Sequence, residues 1–281
     1  MTATPAGGLD IQALRGIAAR RRGPRVYRAV LDRIAEHLDE HDGFVSWSGG
    51  KDSTVVVDLA RQVDPHIPVV FFDSGLQFPE TMRYLEELAE TWHLNYQVIT
   101  ADPDLLTILI AGGGFDHQAV DRTLRGQLSD IMITGPAREA HRRHGRGSIW
   151  GVRAEESHGR RMLYRRALAA ETKARQQNSP DDVRARAGGV VRRKDGTTTY
   201  GPIWDWQRSH VFEYLAGRSI EPNPLYRKLA ELGAPEAQIR VDSIIDAAQL
   251  SNGHIAWLQK GWPDLFDRLA GALPRLREAA G

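Results

Sequence analysis

A string rich in serine, glycine and lysine follows a short apolar run near the start of the chain. The string Ser-Gly-Gly-Lys-Asp-Ser spans 48–53, and an apolar helical pattern begins directly after it. Adjacent glycines let a backbone approach an anion closely, and the first amides of a helix are unpaired and partly positive. Lys51 adds a mobile cation, and Ser48 and Ser53 add hydroxyl donors. These residue types in this order predict a phosphate or pyrophosphate site, which is not of the Gly-x-x-x-x-Gly-Lys-Ser/Thr kind.

Asp52 adds a metal to this prediction. A carboxylate beside bare phosphates would repel them, so its expected use is to hold a Mg²⁺ that the phosphates also bind. Mg²⁺ usually takes one or two protein carboxylates and fills its other positions with phosphate oxygens and water. The string therefore predicts a magnesium–nucleotide site in which Asp52 is the metal ligand.

Several further motifs extend the pattern in order along the chain. The string at 48–53 resembles the pyrophosphate loop (PP-loop) of the ATP pyrophosphatases, which cleave ATP between its α and β phosphates. Other segments are similar to motifs of the phosphoadenosine phosphosulfate (PAPS) reductase family: its second-strand motif, its Arg-Glu-x-Ser segment, and its later Pro-Ile-x-x-Trp and Pro-Leu-Tyr elements. The matching segments are 69–81, 151–157 with Gly159 and Arg160, 201–206 and 222–226.

The resemblance implies an adenine nucleotide alpha-hydrolase-like fold and the use of ATP and Mg²⁺. The implied reaction cleaves ATP to AMP and pyrophosphate and adenylates an acceptor. Lys51, Asp52 and Arg153 are the implied catalytic residues, with Arg153 and Arg160 binding the acceptor or the α phosphate. The expected nucleotide-binding residues are Ser46, Ser48, Gly49, Gly50, Lys51, Asp52, Ser53, Asp73, Ser74, Gly75, Gly151, Arg153, Glu155 and Arg160.

The sequence departs from the reductases in two ways. It contains no cysteine, whereas the reductases use a C-terminal cysteine as the sulfur nucleophile. Without a thiolate these residues cannot attack a sulfuryl sulfur, so thiol-dependent reduction of PAPS is not expected. The PP-loop, which is often degraded in reductases, is intact here, and this fits ATP with its β and γ phosphates.

Other interpretations stay open at this point. The chain could resemble a sulfate adenylyltransferase, could transfer a sulfuryl group from PAPS without a thiol, or could be a nucleotide-binding module of a larger, nucleic-acid-modifying complex. Asp73 could simply form a turn, and Arg153 could pair with Glu155 or Glu156 as a structural ion pair. One or both of Trp204 and Trp206 are expected in the core rather than at a ligand.

Charge is spread unevenly along the chain. The formal net charge is only +1, but residues 138–194 hold sixteen lysines and arginines against six carboxylates. We call 138–194 the basic segment. It predicts a positive surface that could bind a polyanion such as nucleic acid, or else a solvated loop. A protein partner that supplies a nucleophile or sulfur and a homodimer are further possibilities, and the sequence does not name the acceptor.

Composition indicates an ordinary globular enzyme. The length of 281 residues allows a large core, no apolar run approaches a membrane span, and the first residues lack the apolar stretch of a signal peptide. The absence of cysteine excludes disulfides, and a cytoplasmic protein is the default expectation.

Alternating strand and helix patterns must position the motifs. We predict strands near 43–47, 68–72 and 96–99, with helices at 51–63 and 79–92 between them. This order predicts an α/β fold with a doubly wound parallel sheet and helices on both faces. Ligands bind such sheets at the carboxyl ends of the strands, where the PP-loop and Asp73 are expected.

The remaining segments are predicted more coarsely. We expect a helix that begins at Pro24 and ends near Gly43, and another at 121–143. A strand is predicted at 148–152, a hairpin at 190–200 and a helix at 208–216. Residues 157–188 show no clean period and could order on ligand binding. The predicted domains are a flexible lead (1–23), a PP-loop α/β domain (24–225) and a C-terminal helical cap (226–281).

Overall fold

The computed structural model describes most of the chain and leaves several stretches undescribed. The predicted lead at 1–23, the glycine-rich break at 112–114 and the first part of the helix predicted at 121–143 lie outside the described residues. No described helix is both long and apolar enough to cross a bilayer. The described residues are 24–111, 130–175, 188–235, 239–242, 254–273 and 275–280.

Strands and helices alternate through the first two thirds of the described chain. The strands are β1 (Gly43–Ser46), β2 (Pro68–Asp73), β3 (Asn95–Thr100), β4 (Gly147–Trp150), β5 (Val190–Arg192) and β6 (Thr198–Tyr200). The helices are α1 (Pro24–Glu40), α2 (Lys51–Val63), α3 (Pro79–Thr91), α4 (Leu105–Ala111), α5 (Gly135–His144), α6 (His158–Arg175), α7 (Arg208–Gly217), α8 (Leu225–Glu231), α9 (His254–Gly261), α10 (Pro263–Ala272) and α11 (Leu276–Ala280). A π-helical turn (Asp130–Thr134) precedes α5 and a 3₁₀ turn (Ala154–Glu156) precedes α6.

The six strands form one mostly parallel sheet in the order β3-β2-β1-β4-β6-β5. β1 lies parallel to both β2 and β4, β4 lies parallel to β6, and only the β5–β6 pair is antiparallel among those whose register is described. The predicted α/β class is thus confirmed. From β1 the chain adds β2 and β3 on one side, and it then adds β4 and the later strands on the other side of β1. The boundary between β1 and β4 is the kind of position where α/β sheets bind ligands.

Sequence explains why the first elements form where they do. Phe44 and Val45 of β1 are fully buried, as expected for a central parallel strand covered on both faces. Helix α2 begins directly after the glycines, and Pro65 and Pro68 follow its end. The predicted α2, α3, β1, β2 and β3 are confirmed to within a residue or two at their ends.

The sequence analysis predicted no helix in 157–188, but α6 occupies His158–Arg175. The inward positions include the small Ala167 and the carboxylate of Glu171, while the apolar Met162 and Leu163 face outward and are exposed. Tyr164 is buried on this helix, and Leu168, one turn further on, is only half-buried. A helix with so little apolar contrast between its faces gives no clear period in the sequence.

The chain divides into two compact units. The first contains the described residues within 1–70, 92–97 and 140–222, and the second those within 71–91, 98–139 and 223–281. The second unit has an apolar core that includes Phe78, Leu105, Trp262 and Phe266. Of the predicted cap, the described residues contain helices α9–α11 and nearly all of α8. The predicted domain limits stay predictions.

Candidate nucleotide site

The loop that joins β1 to α2 is anchored at its base by a tryptophan. Trp47 is fully buried, its amide donates to the Val70 carbonyl at 2.9 Å, and its indole N–H donates to Thr54 Oγ1 at 3.0 Å. Ser46, the last residue of β1, is itself buried. The loop therefore leaves a fixed strand end and returns to a fixed first turn of α2.

Serine hydroxyls hold the loop in shape. Ser48 Oγ and Ser53 Oγ lie 3.1 Å apart, and the Gly50 amide donates to Ser48 Oγ at 3.4 Å. Ser53 Oγ donates to the Gly50 carbonyl at 3.0 Å. Gly49 has φ of 72°, in the left-handed region that a Cβ disfavours. The loop thus takes a defined turn before the amides of α2, with its serines bonded within the loop.

Asp52 lies between two cations. Lys51 Nζ contacts Asp52 Oδ2 at 2.6 Å, and Arg153 Nε contacts Asp52 Oδ1 at 2.5 Å. Asp52 is 8% exposed and Arg153 only 3% exposed, so this cluster is largely withdrawn from water. Charge-assisted contacts of this kind are strong when they are desolvated.

Arg153 connects Asp52 to the turn after β4. Its Nη1 donates to Glu155 Oε1, and its amide donates to Glu156 Oε2 at 3.0 Å, which caps the 3₁₀ turn. Burial disfavours the charged guanidinium, but Asp52 and the hydrogen bond to Glu155 outweigh this effect and raise the pKa of Arg153 above its ordinary value. Glu155 Oε1 also accepts from the Arg208 amide at 3.0 Å. Arg153 is therefore permanently charged and fixed.

Gly151 allows β4 to pass close to the start of α2. A Cβ at this position would lie 2.5 Å from both the Cα and the amide nitrogen of Ser53. Any side chain would push the strand away from the helix N-terminus. Because β1 and β4 pair in parallel with Ser46 opposite Trp150, the PP-loop and the segment from Gly151 leave the same edge of the sheet.

Two further groups of predicted site residues have contacts of their own. Asp73, Ser74 and Gly75 belong to the second unit, where Asp73 Oδ1 accepts from the Gly75 amide at 2.8 Å and so forms a turn. Arg160, near the start of α6, donates to Glu156, and its side chain is 46% exposed.

One carboxylate in the PP-loop could take part in a magnesium site. Among the described residues no three His, Asp or Glu side chains are arranged to hold a metal by themselves. Oδ1 of Asp52 is held by a buried arginine, whereas Oδ2 is held by Lys51, whose four-carbon stem is flexible. A single carboxylate oxygen suits Mg²⁺ when phosphates and water complete the coordination of the ion. Oδ2 of Asp52 is therefore a suitable ligand for Mg²⁺.

Sequence reasoning found the members of this cluster but not their pairing. The sequence suggested Glu155 or Glu156 as a possible partner of Arg153, and the structure adds Asp52, which is 101 residues away. No local pattern signals that contact. The parallel pairing of β1 with β4 brings the two residues together, and this pairing is a property of the sheet.

Fold and site together define a class of nucleotide-utilising α/β enzymes. The Phosphoadenosine phosphosulfate reductase domain matches residues 43–236, which is more than half of the chain. The chain belongs to this family.

Curated relatives carry the corresponding name. Phosphoadenosine 5'-phosphosulfate reductase of Sodalis glossinidius (strain morsitans) is 28% identical over 195 residues, which cover 69% of this chain and 68% of that protein. The protein of the same name from Yersinia pseudotuberculosis serotype O:3 is 27% identical over 211 residues, covering 73% of this chain and 75% of that protein.

Solved structures with some likeness include several nucleotide enzymes. A PAPS reductase from Candida auris, in a phosphate complex, has a TM-score of 0.47 at 12% identity, covering 83% of this chain and 96% of that chain. The NMN synthetase of Francisella tularensis has a TM-score of 0.48 at 14% identity, covering 91% of this chain and 94% of that chain.

Proposed function

We propose that the chain is an ATP pyrophosphatase, which cleaves ATP to AMP and pyrophosphate and so adenylates an acceptor. The observation that carries the proposal is the intact PP-loop, with Asp52 held between Lys51 and Arg153 at the switch point of the sheet. Family membership supports nucleotide use, and the choice of ATP rests on this loop.

The loop residues bind the leaving group in this proposal. The backbone from Gly49 to Ser53 presents helix N-terminal amides and their partial positive charge to the β and γ phosphates. The bonds between Ser48, Gly50 and Ser53 fix the loop before substrate arrives, so little reorganisation is needed in the reaction.

Lys51, Asp52 and Arg153 balance charge during the reaction. Lys51 moves from Asp52 to the phosphates, which frees Oδ2 for the metal. Asp52 Oδ2 would hold a Mg²⁺, which would supply positive charge to the departing pyrophosphate. Arg153 stays in place against Asp52 and Glu155 and presents its positive charge toward the α phosphate or the acceptor.

The chemical step is an in-line displacement. An acceptor oxyanion forms a bond to the α phosphorus, the bond from that phosphorus to the bridging oxygen breaks, and pyrophosphate leaves with the electron pair. An acceptor that is already anionic needs no dedicated general base, so positioning and charge stabilisation supply most of the catalysis. A second nucleophile can then displace AMP from the adenylated acceptor.

PAPS is the rival substrate, because the relatives are named as PAPS reductases. The 281 residues contain no cysteine, so they supply no thiolate to take the sulfuryl group. Binding of PAPS, unlike its reduction, requires no thiol. The nucleic-acid partner, a protein partner that supplies a nucleophile or sulfur, and the homodimer stay predictions.

Phosphorus NMR and mass spectrometry of the purified protein with Mg-ATP test the proposal. We expect AMP and pyrophosphate, or an adenylated acceptor, when a pool of candidate acceptors is present. ADP with phosphate would contradict the proposed cleavage position. Absence of turnover together with tight retention of PAPS would favour the rival.

A further inference from the structure

A cavity of about 300 Å³ opens in the first unit next to the Asp52–Arg153–Glu155 chain. Three stretches of sequence line it: the turn after β4 contributes Glu155, α6 contributes Arg161 and Arg165, and the segment after β6 contributes Trp204 to Trp206. Because β6 runs parallel to β4, its end lies at the same edge of the sheet as Arg153.

The arginines give the cavity a cationic wall. Arg161 and Arg165 lie one helical turn apart on α6, so their side chains share a face. Both are exposed, and within the part of the chain that the structure describes neither guanidinium has a carboxylate at ion-pair distance. Two adjacent arginines in this state suit an anionic group such as phosphate or carboxylate.

Two tryptophans provide an apolar wall that is held from behind. Trp206 is buried against the rings of Tyr27 and Tyr214, with centroid distances of 5.7 and 5.9 Å. Trp204 lies against Tyr164 at 5.6 Å, and a Cβ on Gly188 would approach its ring to 2.7 Å. The indoles are therefore fixed, and a fixed aromatic surface suits a planar ring.

A carboxylate contributes the third chemical feature. Asp205 lies between the two tryptophans in sequence and lines the same cavity. Desolvation raises the pKa of Asp205 although His210 opposes the shift. Its oxygens would repel an anion but would accept an N–H, so this wall suits the donor edge of a nitrogen heterocycle.

We propose that this cavity binds the acceptor, a planar nitrogen heterocycle that carries a phosphate or carboxylate group, up to the size of a mononucleotide. Arg161 and Arg165 hold the anionic group, the tryptophans contact the ring, and Asp205 accepts a ring N–H. The assignment of the bound molecule as acceptor rests on the proposed adenylation. The shared residue Glu155 connects the cavity to Arg153, which would bring the acceptor beside the α phosphate.

Ligand-observed NMR titrations of the full chain with matched probes test the binding. Orotate and uridine 5'-monophosphate carry the anion and the ring N–H, whereas uracil and uridine lack the anion. We expect at least one anionic probe to bind at millimolar concentration or below, and each neutral partner to bind at least tenfold more weakly. The Arg161→Gln/Arg165→Gln variant should lose at least tenfold in affinity for that probe.

Arg166→Gln is the matched control, because Arg166 lies on the same exposed helix but outside the cavity lining. Trp204→Ala should also lower the affinity for the anionic probe. Failure of both anionic probes to bind at millimolar concentration, or equal binding by the double variant and wild type, would overturn the proposal. Mg-ATP binding is measured on the same samples. If the wild-type protein does not bind Mg-ATP, the result counts against the proposed function. If it binds Mg-ATP but none of the anionic probes, the result counts against the cavity proposal alone.

Discussion

Asp52 is the residue on which the candidate site depends most. Both of its oxygens are engaged, one by the mobile Lys51 and one by the fixed Arg153. Asp52→Asn keeps the shape and one acceptor but removes the negative charge. We expect Mg²⁺-dependent release of pyrophosphate to fall by about 10²-fold or more, because charge stabilisation of the leaving group is lost.

Pyrophosphate release and thermal unfolding should be measured together on Asp52→Asn. The control is Asp39→Asn, which changes an exposed carboxylate on α1. A folded Asp52→Asn protein with unchanged turnover would show that the carboxylate has no role in the reaction.

Arg153→Lys separates charge from geometry. An ammonium keeps the charge, but it cannot present the planar fork that contacts Asp52 and Glu155 together. We expect kcat to fall by about tenfold to a hundredfold, with a smaller stability loss than in Arg153→Met. Steady-state kinetics and urea unfolding of the two variants check this. Equal activity of Arg153→Lys and wild type would mean that the fork is unnecessary.

At the scale of the element, Gly151 sets the distance between β4 and the start of α2. Gly151→Ala places a Cβ against the backbone of Ser53. We expect the free energy of unfolding to drop by about 1–3 kcal/mol and ATP affinity to weaken, since the helix N-terminus must shift. Gly271→Ala, where no atom lies within 4 Å, is the control and should be neutral or slightly stabilising. Calorimetry measures the stability of each variant, and ATP titration measures its affinity for ATP. A Gly151→Ala protein with the stability and ATP affinity of wild type would contradict the close approach of β4 to the start of α2.

Helix α1 carries a buried histidine that makes stability depend on pH. His37 is 5% exposed, its Nε2 has no hydrogen-bond partner within the described residues, and it packs against His41 and Tyr200. Desolvation, with His41 and Arg33 nearby, lowers the pKa of His37 from 6.5 to about 4. The unfolded chain then binds a proton between these pH values and the folded chain does not, so His37 lowers stability as pH falls through this window.

Because of His37, the free energy of unfolding should fall by at most about 3 kcal/mol near pH 4, and it should not fall above pH 6.5. His37→Leu should flatten the dependence of unfolding free energy on pH relative to wild type. The exposed His66→Gln is the control. Urea unfolding between pH 4 and 7 measures the difference, and parallel curves for wild type and His37→Leu would exclude this histidine as the cause.

At the scale of the whole molecule, ligand binding should raise the stability of the folded chain by mass action. A ligand at a hundredfold excess over its Kd stabilises by about 2.7 kcal/mol. We expect Mg-ATP to raise the Tm of wild type in this manner and to have little effect on Asp52→Asn. Differential scanning calorimetry over an ATP series, with PAPS and EDTA series beside it, checks this. A shift with PAPS but none with Mg-ATP would favour the rival substrate.

The sequence determined the local elements and the chemistry of the loop. Glycines, a proline-bounded helix and apolar runs specify β1, α2 and β2 through short-range sterics and periodicity, so these elements were predicted nearly to the residue. The hairpin at 190–200 followed from Asp195-Gly196 in the same way. Helix α6 was missed because tertiary contacts of Tyr164 and Glu171, not an apolar period, hold its inward face.

Only the tertiary structure decided which distant residues meet. The order β2-β1-β4-β6 brings the PP-loop, Arg153 and the tryptophans to one edge of the sheet. Asp52 and Arg153 are 101 residues apart in the chain, and no local signal states that they pair. The cavity likewise needs α6 to lie over the segment after β6. Spacing along a chain constrains near neighbours, whereas strand pairing across a sheet sets the contacts that complete a site.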